Sequence, residues 1–407
     1  MRLHRLLFVA MLIGFSKPAT SIAQADGKHM PVSVRWNRLV PGFLDQLAVS
    51  RQAARKAAAA AGDSAALRRI AMTPPPFLFR VYTLLSLAQY AAVNSARGNN
   101  NVSSDAAVAH ASAAALRAIF ADSTVRASIA RELARDTERL RNALASKTLG
   151  EDVAQRVIAW APPFNLIAPW NGTIPKGPGM WYSAPGVPPI GVMMGQSRTW
   201  LLESPSQFRP APPPTFGSPQ WQSALEEVQR VARNRTAQET QIAQKWNSVD
   251  PWGPWNQTAS EAIVRHHLSN ADAARVLAML NVGASDAIIA CFEAKYHYWS
   301  IRPSQADTTL TLADDVDLPN FPSYPSGHAC SAGAFDAALG HFFPDERAQF
   351  TRIAEEQAMS RLYGGIHYRF DNDTGLALGR AVARKDIEIE KRGGLNAWRT
   401  AGVVKKR

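Results

Sequence analysis

Lys295-Tyr-His-Tyr-Trp-Ser-Ile-Arg302-Pro303 is the first of three short segments that decide how this chain is interpreted. Pro325-Ser-Gly-His328 and Ser360-Arg361-Leu-Tyr-Gly-Gly-Ile-His367-Tyr-Arg-Phe-Asp371 follow it in the last third of the sequence. Among their residues are three cations at Lys295, Arg302 and Arg361, two histidines at His328 and His367, the Gly327 amide and the Asp371 carboxylate. Such a set can hold a tetrahedral or trigonal-bipyramidal oxyanion and carry out acid–base chemistry on it.

The first segment is predicted to extend a helix. Residues 271–293 are rich in Ala, Leu, Ile and Val, which favours a helix running into the segment. Lys295 and Arg302 are seven residues apart, or two helical turns, so the pattern predicts that they share a face. Pro303 would then end or kink the helix.

The second segment is predicted to begin a helix. Ser326 is a candidate N-cap, and Gly327 would lie in the first turn of an Ala-rich helix over residues 329–339. A helix N-terminus offers unpaired amides and a partial positive charge, and it therefore favours an anion. Because Gly327 has no Cβ, an oxyanion can approach the backbone closely there.

The third segment combines a cation, a histidine and a carboxylate around a glycine pair. Arg361 and His367 are six residues apart, which does not place them on one helical face. Gly364-Gly365 is therefore expected to break or reshape the turn so that both side chains point inward. Asp371, four residues after His367, can lie alongside His367 or reach Arg361, and in either place it would fix the partner's orientation.

The pattern Lys-x6-Arg-Pro, Pro-Ser-Gly-His and Ser-Arg-x5-His-x3-Asp resembles the signature of the type 2 phosphatidic acid phosphatase and vanadium-dependent haloperoxidase superfamily. The match holds at every fixed position. Phe321-Pro-Ser-Tyr324 resembles the haloperoxidase form of the second motif. Segments 235–246, 179–181 and 210–214 resemble, more loosely, the soluble bacterial haloperoxidase-like branch.

The resemblance implies a role for each motif residue. His367 would bond to vanadium, or act as the nucleophile that becomes phosphohistidine; His328 would be the acid/base opposite it, and Asp371 would support the site from behind. The oxygens of bound vanadate or phosphate would be held by Lys295, Arg302, Arg361, Ser326 and the Gly327 amide. Phe292 and Phe321 flank the motifs at positions where haloperoxidases vary with halide preference, so they are either halide-pocket residues or core aromatics.

Two enzyme functions follow from the resemblance. The first is a vanadate-dependent haloperoxidase that oxidises halide with hydrogen peroxide; chain length and the Phe321-Pro-Ser-Tyr324 run favour it. The alternative is a secreted acid phosphatase, which would hydrolyse small phosphate esters through phosphohistidine and need no cofactor. The motifs do not separate the two, because vanadate and phosphate share geometry and charge. A purely binding role is disfavoured by the complete set of acid, base and oxyanion-holding groups.

The whole chain is predicted to be all-α, with two helical bundles. Helical patterns cover residues 36–61, 76–95, 106–120, 125–145 and 221–246, and the site helices follow within 271–386. Residues 161–220 hold 14 of the 27 prolines, so this segment is expected to be an irregular crossover. The predicted organisation is a signal peptide over 1–25, bundles over 26–160 and 221–390, the crossover over 161–220 between them, and a tail over 391–407.

The N-terminus and the charge bear on location and partners. A basic start, an apolar run over residues 6–15 and Ala23-Gln-Ala25 indicate a signal peptide, hence a periplasmic or secreted protein with no membrane span. The formal net charge is +12, but no basic run of five or more residues occurs. The charge is therefore expected to attract anionic substrates and not nucleic acid. The oligomeric state is left open.

Two cysteines, Cys291 and Cys330, lie close in sequence to the motifs. In an oxidising compartment they can pair, or they can be buried small apolar residues. Unpaired thiols are the preferred interpretation.

Overall fold

Helices make up most of the computed structural model, which describes residues 30–67, 78–138, 143–163, 165–247 and 251–399. Within these ranges the only β-type pairing is a single antiparallel bridge between Met180 and Ser300. The all-α prediction is confirmed. The predicted signal peptide, residues 1–25, lies outside the described residues.

The structure gives the bounds of five α-helices before the proline-rich crossover. Side chains of Ser103 and Asp122 cap the third and fourth by accepting hydrogen bonds from backbone amides. The sequence predicted one helix over 125–145, but the fourth helix ends at Thr137, whose hydroxyl bonds back to the carbonyls of Leu133 and Ala134. The five are α1 (Val32–Ala60), α2 (Leu78–Ala96), α3 (Ser104–Ile119), α4 (Ser123–Thr137) and α5 (Ala143–Trp160).

Eight α-helices have described bounds after the crossover. The helix predicted over 221–246 is two helices, because Thr236 and Glu239 form a capping box that starts a new one. The eight are α6 (Pro219–Asn234), α7 (Ala237–Lys245), α8 (Trp252–Arg265), α9 (Asn270–Tyr298), the single turn α10 (Pro303–Ala306), α11 (Gly327–Phe342), α12 (Arg347–Tyr363) and α13 (Arg369–Lys391).

Helix α9 lies at the centre of the packing. It contacts α2, α11 and α13. By length and composition α9 could cross a membrane, but 89% of its apolar window is buried inside the protein. It also carries the buried charged residues Asp286 and Lys295. This is the pattern of a core helix.

The crossover is irregular, as its prolines predict, apart from a 3-10 turn at Met194–Gln196. It is fastened to α9 by Asp286, whose carboxylate accepts hydrogen bonds from the backbone amides of Trp200 (2.7 Å), Leu201 (2.9 Å) and Leu202 (3.4 Å). Asp286 therefore fixes the path of the crossover where it passes the core.

The described residues from Pro31 onward form one compact unit. After α13 a 3-10 helix, Gly394–Arg399, buries Leu395 and Trp398 in the same apolar cluster as residues of α2, α3, α5 and α9. The predicted division of the chain at residues 160, 220 and 390 stays a prediction.

Candidate active site

The eight motif residues lie together, although they come from five different places in the chain. Lys295 lies in the last turn of α9, Arg361 lies in the last turn of α12, and Asp371 lies in the first turn of α13. Gly327 and His328 are partly exposed and mark the opening of the site. The other six are buried: Lys295, Arg302, Ser326, Arg361, His367 and Asp371.

Arg302 reaches the site by a route that the sequence did not predict. Helix α9 ends at Tyr298, and Trp299 adopts a left-handed conformation with φ 50°. Lys295 and Arg302 therefore do not share a helical face, and that prediction was wrong. The two cations meet because the chain turns back after Trp299. The Lys295 Nζ and the Arg302 Cζ each lie 5.0 Å from the ring centroid of Phe321, within range of cation–π attraction.

Lys295 is held by backbone carbonyls. Its Nζ donates hydrogen bonds to the carbonyl oxygens of Pro322 (2.9 Å) and Ser323 (2.7 Å). Burial, with a further contribution from the charge of Arg302, lowers the pKa of Lys295 to about 8, although Cys291 and Asp371 oppose the shift. A bound anion would favour the charged ammonium group.

Arg302 has one guanidinium nitrogen left over. Its Nε donates to the carbonyl of Phe321 (3.0 Å), and its Nη1 donates to the carbonyl of Ile366 (2.8 Å) and lies 3.1 Å from His367 Nε2. Its Nη2 is buried and has no partner among the described residues. Burial lowers the pKa of Arg302. A buried donor without an acceptor is destabilising, and an oxyanion oxygen would satisfy it.

The N-terminus of α11 provides a second unsatisfied group. Ser326 is the N-cap residue, as predicted, and its amide donates to the carbonyl of Asp371 (2.9 Å). Its hydroxyl does not cap the helix; the oxygen is buried without a partner in the described part of the chain. At Gly327 the position of a Cβ would meet no atom within 4 Å. The helix start therefore has both a free hydroxyl and open space for an anion.

The end of helix α7 and the two residues after it accept hydrogen bonds from Arg361 and His328. Arg361 donates from Nη2 to the carbonyl of Ala243 (3.0 Å) and from Nη1 to Asn247 Oδ1 (3.2 Å). His328 Nε2 lies 3.0 Å from the carbonyl oxygen of Trp246. A carbonyl only accepts, so Nε2 carries the proton and Nδ1 carries the lone pair. Burial, and then Arg361, lower the pKa of His328 well below its usual value.

His367 and Asp371 form a buried pair. As the glycine pair predicts, α12 ends before Gly364, Gly365 has φ 78°, and His367 follows with its side chain buried. Of the two partners considered for Asp371, the structure shows His367: Nδ1 lies 2.8 Å from Oδ2. Ser323 Oγ donates to the same oxygen at 2.5 Å.

Burial sets the protonation of this pair. It lowers the pKa of His367 well below its usual value, and Arg302 and Lys295 add to the effect. It raises the pKa of Asp371 to about 6, against the hydrogen bond from Ser323 and the charges of Lys295 and Arg302. Above that pH a carboxylate therefore faces a neutral imidazole.

The two phenylalanines differ in surroundings. Phe292 is buried and packs with Met194 and Ile289, whereas Phe321 is partly exposed and lies against the two cations. The rings are in edge contact, with centroids 5.3 Å apart. Phe292 thus has the surroundings of a core aromatic, and Phe321 those of a residue at the site. A halide pocket at these positions stays a prediction.

Sequence reasoning missed several supporting groups. Ser323 lies inside the Phe321-Pro-Ser-Tyr324 run, and Trp246 is the last residue of the segment 235–246. Both segments carried a family resemblance that could have marked these two residues as part of the site. Gln357 had no signal: it donates to the carbonyl of His328 (3.0 Å) and accepts from Trp255 Nε1 (2.6 Å).

The arrangement suits a multiply charged oxyanion. Three buried cations face two neutral imidazoles and one carboxylate, so positive charge is in excess. Unpaired hydrogen-bonding groups remain at Arg302 and Ser326. Arginine forks and a helix N-terminus are the donors that hold phosphate and similar anions. The residues present therefore fit vanadate as well as phosphate.

Comparisons with known proteins agree with this geometry. Residues 275–385 match the PAP2 superfamily, and this range contains all eight motif residues. The chain is 44% identical to a lipid A 1-phosphatase of Rhizobium etli over 59 residues, 25% of that protein. It is 31% identical to a vanadium-dependent bromoperoxidase of Ascophyllum nodosum over 110 residues, 20% of that protein. The chain thus spans a quarter or less of the length of these curated relatives.

Solved structures share the fold over a longer range. A bacterial vanadium-dependent iodoperoxidase superposes with a TM-score of 0.66 at 23% identity, covering 78% of this chain and 92% of that one. An apo bacterial vanadium-dependent chloroperoxidase gives 0.64 at 12% identity, covering 79% and 96%. The superfamily resemblance drawn from the three motifs is confirmed, and so is the all-helical fold of this group.

Proposed function

We propose that this chain is a vanadate-dependent haloperoxidase that oxidises halide with hydrogen peroxide. The observation that carries the proposal is the pair of buried, unpaired groups, Arg302 Nη2 and Ser326 Oγ, beside a histidine whose Nε2 can accept. These groups complete a site for an oxyanion with a fifth ligand. Support for the peroxidase over the phosphatase comes from solved haloperoxidases, which match the fold over more than nine-tenths of their own length.

The motif residues divide the work of holding vanadate. Three cations would neutralise its charge, and Ser326 and the Gly327 amide would donate to its oxygens. His367 would supply the nitrogen ligand, oriented by Asp371 through the 2.8 Å contact. When bound, vanadate would act as a Lewis acid that activates peroxide toward halide.

His328 would move the proton that this chemistry requires. Its Nε2 proton is engaged by the carbonyl of Trp246, so Nδ1 is the nitrogen free to accept a proton. The lowered pKa of His328 keeps the imidazole neutral, which is the form that can act as a base. His328 is partly exposed, so it lies where peroxide would enter.

A phosphomonoesterase is the second candidate, favoured by the identity of 44% to a lipid A 1-phosphatase over a short segment. His367 Nε2 would attack phosphorus. His328, protonated beside the bound phosphate anion, would give that proton to the leaving oxygen before water hydrolyses the phosphohistidine. Burial keeps His367 neutral, so its lone pair is available for this attack.

One experiment separates the two candidates. The protein purified from residue 26 onward, the start expected after signal cleavage, is loaded with orthovanadate and assayed for bromide oxidation with peroxide. The vanadate-free protein is assayed in parallel for hydrolysis of a phosphate monoester. Vanadate-dependent bromide oxidation supports the proposal; ester hydrolysis without it supports the second candidate. His367→Ala should abolish both activities and serves as the shared control.

A further inference from the structure

The indole of Trp246 is held by a carboxylate from helix α12. Its Nε1 donates a hydrogen bond to Glu356 Oε1 (2.8 Å), and Trp246 is 2% exposed. The same carboxylate oxygen accepts from Lys245 Nζ (2.6 Å), which also lies 5.1 Å from the centroid of the Trp246 ring. A buried indole N–H requires an acceptor. Among the described residues, Glu356 is the acceptor that it has.

The backbone of Trp246 is held less firmly by its own helix. Helix α7 ends at Lys245, and Trp246 is the C-cap residue. Its amide donates to the carbonyl of Ile242 at 3.3 Å, which is long for a hydrogen bond between backbone groups. The Trp246 carbonyl comes at the helix end, where carbonyls have no intrahelical partner, and it accepts from His328 Nε2 (3.0 Å). The contact between the indole and Glu356 therefore helps to fix the residue whose carbonyl meets His328.

His328 is held at two points, and helix α12 contributes to both. Its backbone carbonyl accepts from Gln357 Nε2 (3.0 Å), and Gln357 is itself held by Trp255 Nε1 (2.6 Å). This contact fixes the main chain and leaves the imidazole free to turn about its side-chain bonds. Within the described part of the chain, the hydrogen bond that orients the ring is the one from Nε2 to Trp246. Gln357 thus acts on the main chain of His328, and Glu356 acts on its ring.

We propose that Glu356 is a positioning residue for His328 and acts through Trp246. By holding the indole, Glu356 fixes the carbonyl that keeps a proton on His328 Nε2 and leaves the Nδ1 lone pair free to accept. The inference rests on the proposed acid/base role of His328 and adds a residue that none of the three motifs contains. Without the carboxylate, the buried indole N–H loses its acceptor, and Trp246 is expected to shift. Misplacement of the His328 ring should then lower turnover roughly 10- to 100-fold.

The first test compares substitutions at Glu356 in the whole mature protein. Glu356→Ala removes the acceptor, and because that side chain is 36% exposed the variant should fold. Glu356→Gln keeps an oxygen that can accept from the indole. At saturating vanadate, we expect turnover in bromide oxidation to fall roughly 10- to 100-fold in Glu356→Ala and to recover largely in Glu356→Gln, with little change in vanadate affinity. Trp246→Phe, which removes the indole donor, should match Glu356→Ala.

Two matched controls separate this role from surface charge. Lys245→Gln breaks the ion pair but leaves the indole and its acceptor in place. Glu355→Ala removes an exposed carboxylate one position earlier on α12. Both variants should turn over like the parent. Equal losses in Lys245→Gln, Glu356→Gln and Glu356→Ala would assign the effect to the charge pair and overturn the inference.

A second measurement follows the His328 ring itself and needs no turnover. In vanadate-free protein with isotope-labelled histidine, nuclear magnetic resonance reports how fast the Nε2 proton exchanges with solvent, and His328→Ala identifies its signal. Glu356→Ala and Trp246→Phe should exchange this proton up to about tenfold faster, as expected for the loss of one hydrogen bond, whereas Glu356→Gln should not. Parent-like exchange in both would overturn the inference. A parent without vanadate-dependent bromide oxidation would refute the proposed function alone, because the ring-proton comparison is independent of it.

Discussion

The Nη1 atom of Arg302 lies 3.1 Å from the Nε2 atom of His367. A guanidinium only donates, so Nε2 must be the ring nitrogen with the lone pair. The proton then lies on Nδ1, where it faces the carboxylate of Asp371 at 2.8 Å. Two neighbours therefore select the same tautomer, and the lone pair already points toward the donors that would surround an oxyanion.

Removing His367 should abolish coordinate binding of vanadate. In His367→Ala the cations and the helix N-terminus remain, but the nitrogen ligand is lost. We expect orthovanadate affinity to fall at least about 100-fold, the upper range for losing a key group at a metal site, with unchanged helical circular dichroism. His341→Ala, a histidine at the end of α11 and away from the motif residues, is the control. Vanadate affinity equal to that of the parent in His367→Ala would refute the assignment.

Replacing His328 should separate turnover from binding. His328→Ala leaves the three cations and His367 in place, so vanadate affinity should change little. The acid/base is lost, and turnover should fall by roughly two to four orders of magnitude. Steady-state kinetics with saturating vanadate, beside a vanadate titration, measure both quantities. An equal loss in affinity and turnover would make His328 an anchoring residue instead.

The two phenylalanines should respond differently to the same substitution. Phe321→Leu removes the ring that lies against Lys295 and Arg302 and should weaken phosphate affinity several-fold, since cation–π contacts contribute about 0.5–2 kcal/mol. Phe292→Leu alters packing with Met194 and should mainly lower the melting temperature. Calorimetry and thermal unfolding of both variants test this. The reverse assignment of effects would show that Phe292 is the site residue.

Phosphate and vanadate should compete for one site. In the proposed site, the three cations, Ser326 and Gly327 would recognise charge and tetrahedral geometry, which the two anions share. Added phosphate should therefore suppress vanadate-dependent bromide oxidation, and excess vanadate should restore it. Sulfate, with one charge fewer than fully ionised phosphate, should compete less well, and nitrate hardly at all. Peroxidase activity unaffected by phosphate but dependent on vanadate would contradict a shared site.

A buried acid at the core should make stability fall as pH rises. Asp386 is 0% exposed, and neither carboxyl oxygen has a partner among the described residues. Burial, and then the charge of Asp286, raise the pKa of Asp386 well above its usual value. Between the unfolded and folded pKa values the folded state binds the extra proton. The free energy of unfolding therefore falls by about 1.4 kcal/mol per pH unit as pH increases.

Asp386→Asn mimics the protonated acid and should remove this loss. Thermal unfolding at pH 5 and pH 8 should show a higher melting temperature for the variant at pH 8 and a smaller difference at pH 5. Asp345→Asn, at an exposed position before α12, is the matched control and should show neither effect. A variant less stable than the parent at pH 8 would mean that the carboxylate is ionised and paired.

The sequence predicted most of the residues that meet at the candidate site, but not the contacts that hold them in position. Motif spacing predicted a set of residues that the structure brings together, and the Gly364-Gly365 pair correctly predicted the turn before His367. The position of Arg302 was wrongly explained, because nothing in Tyr298 or Trp299 announces that the helix ends there in a left-handed residue. At that point Trp299 packs against Trp181 of the crossover, and its carbonyl accepts a hydrogen bond from the Trp181 amide (2.7 Å).

The other contacts that the sequence did not predict involve backbone groups. Carbonyls of Ala243 and Trp246 orient Arg361 and His328, and every residue has a carbonyl, so no side-chain pattern marks these two. The hydrogen bonds from the backbone amides of residues 200–202 to Asp286 are also not predicted by any sequence pattern, because they join residues more than 80 positions apart. Local propensity predicted the helices; such long-range contacts depend on the completed fold.

The end of α7 has a consequence for how the proposed active site could be moved to another protein or studied in a fragment. The segment 275–385 contains every motif residue, yet the atoms that steady Arg361 and His328 belong to residues 243–247, upstream of it. A fragment cut at the edges of sequence similarity would contain every motif residue but lack the residues that orient Arg361 and His328. The smallest fragment suitable for transfer to another scaffold should therefore start before α7. The range of sequence similarity, which begins at residue 275, starts too late in the chain for this purpose.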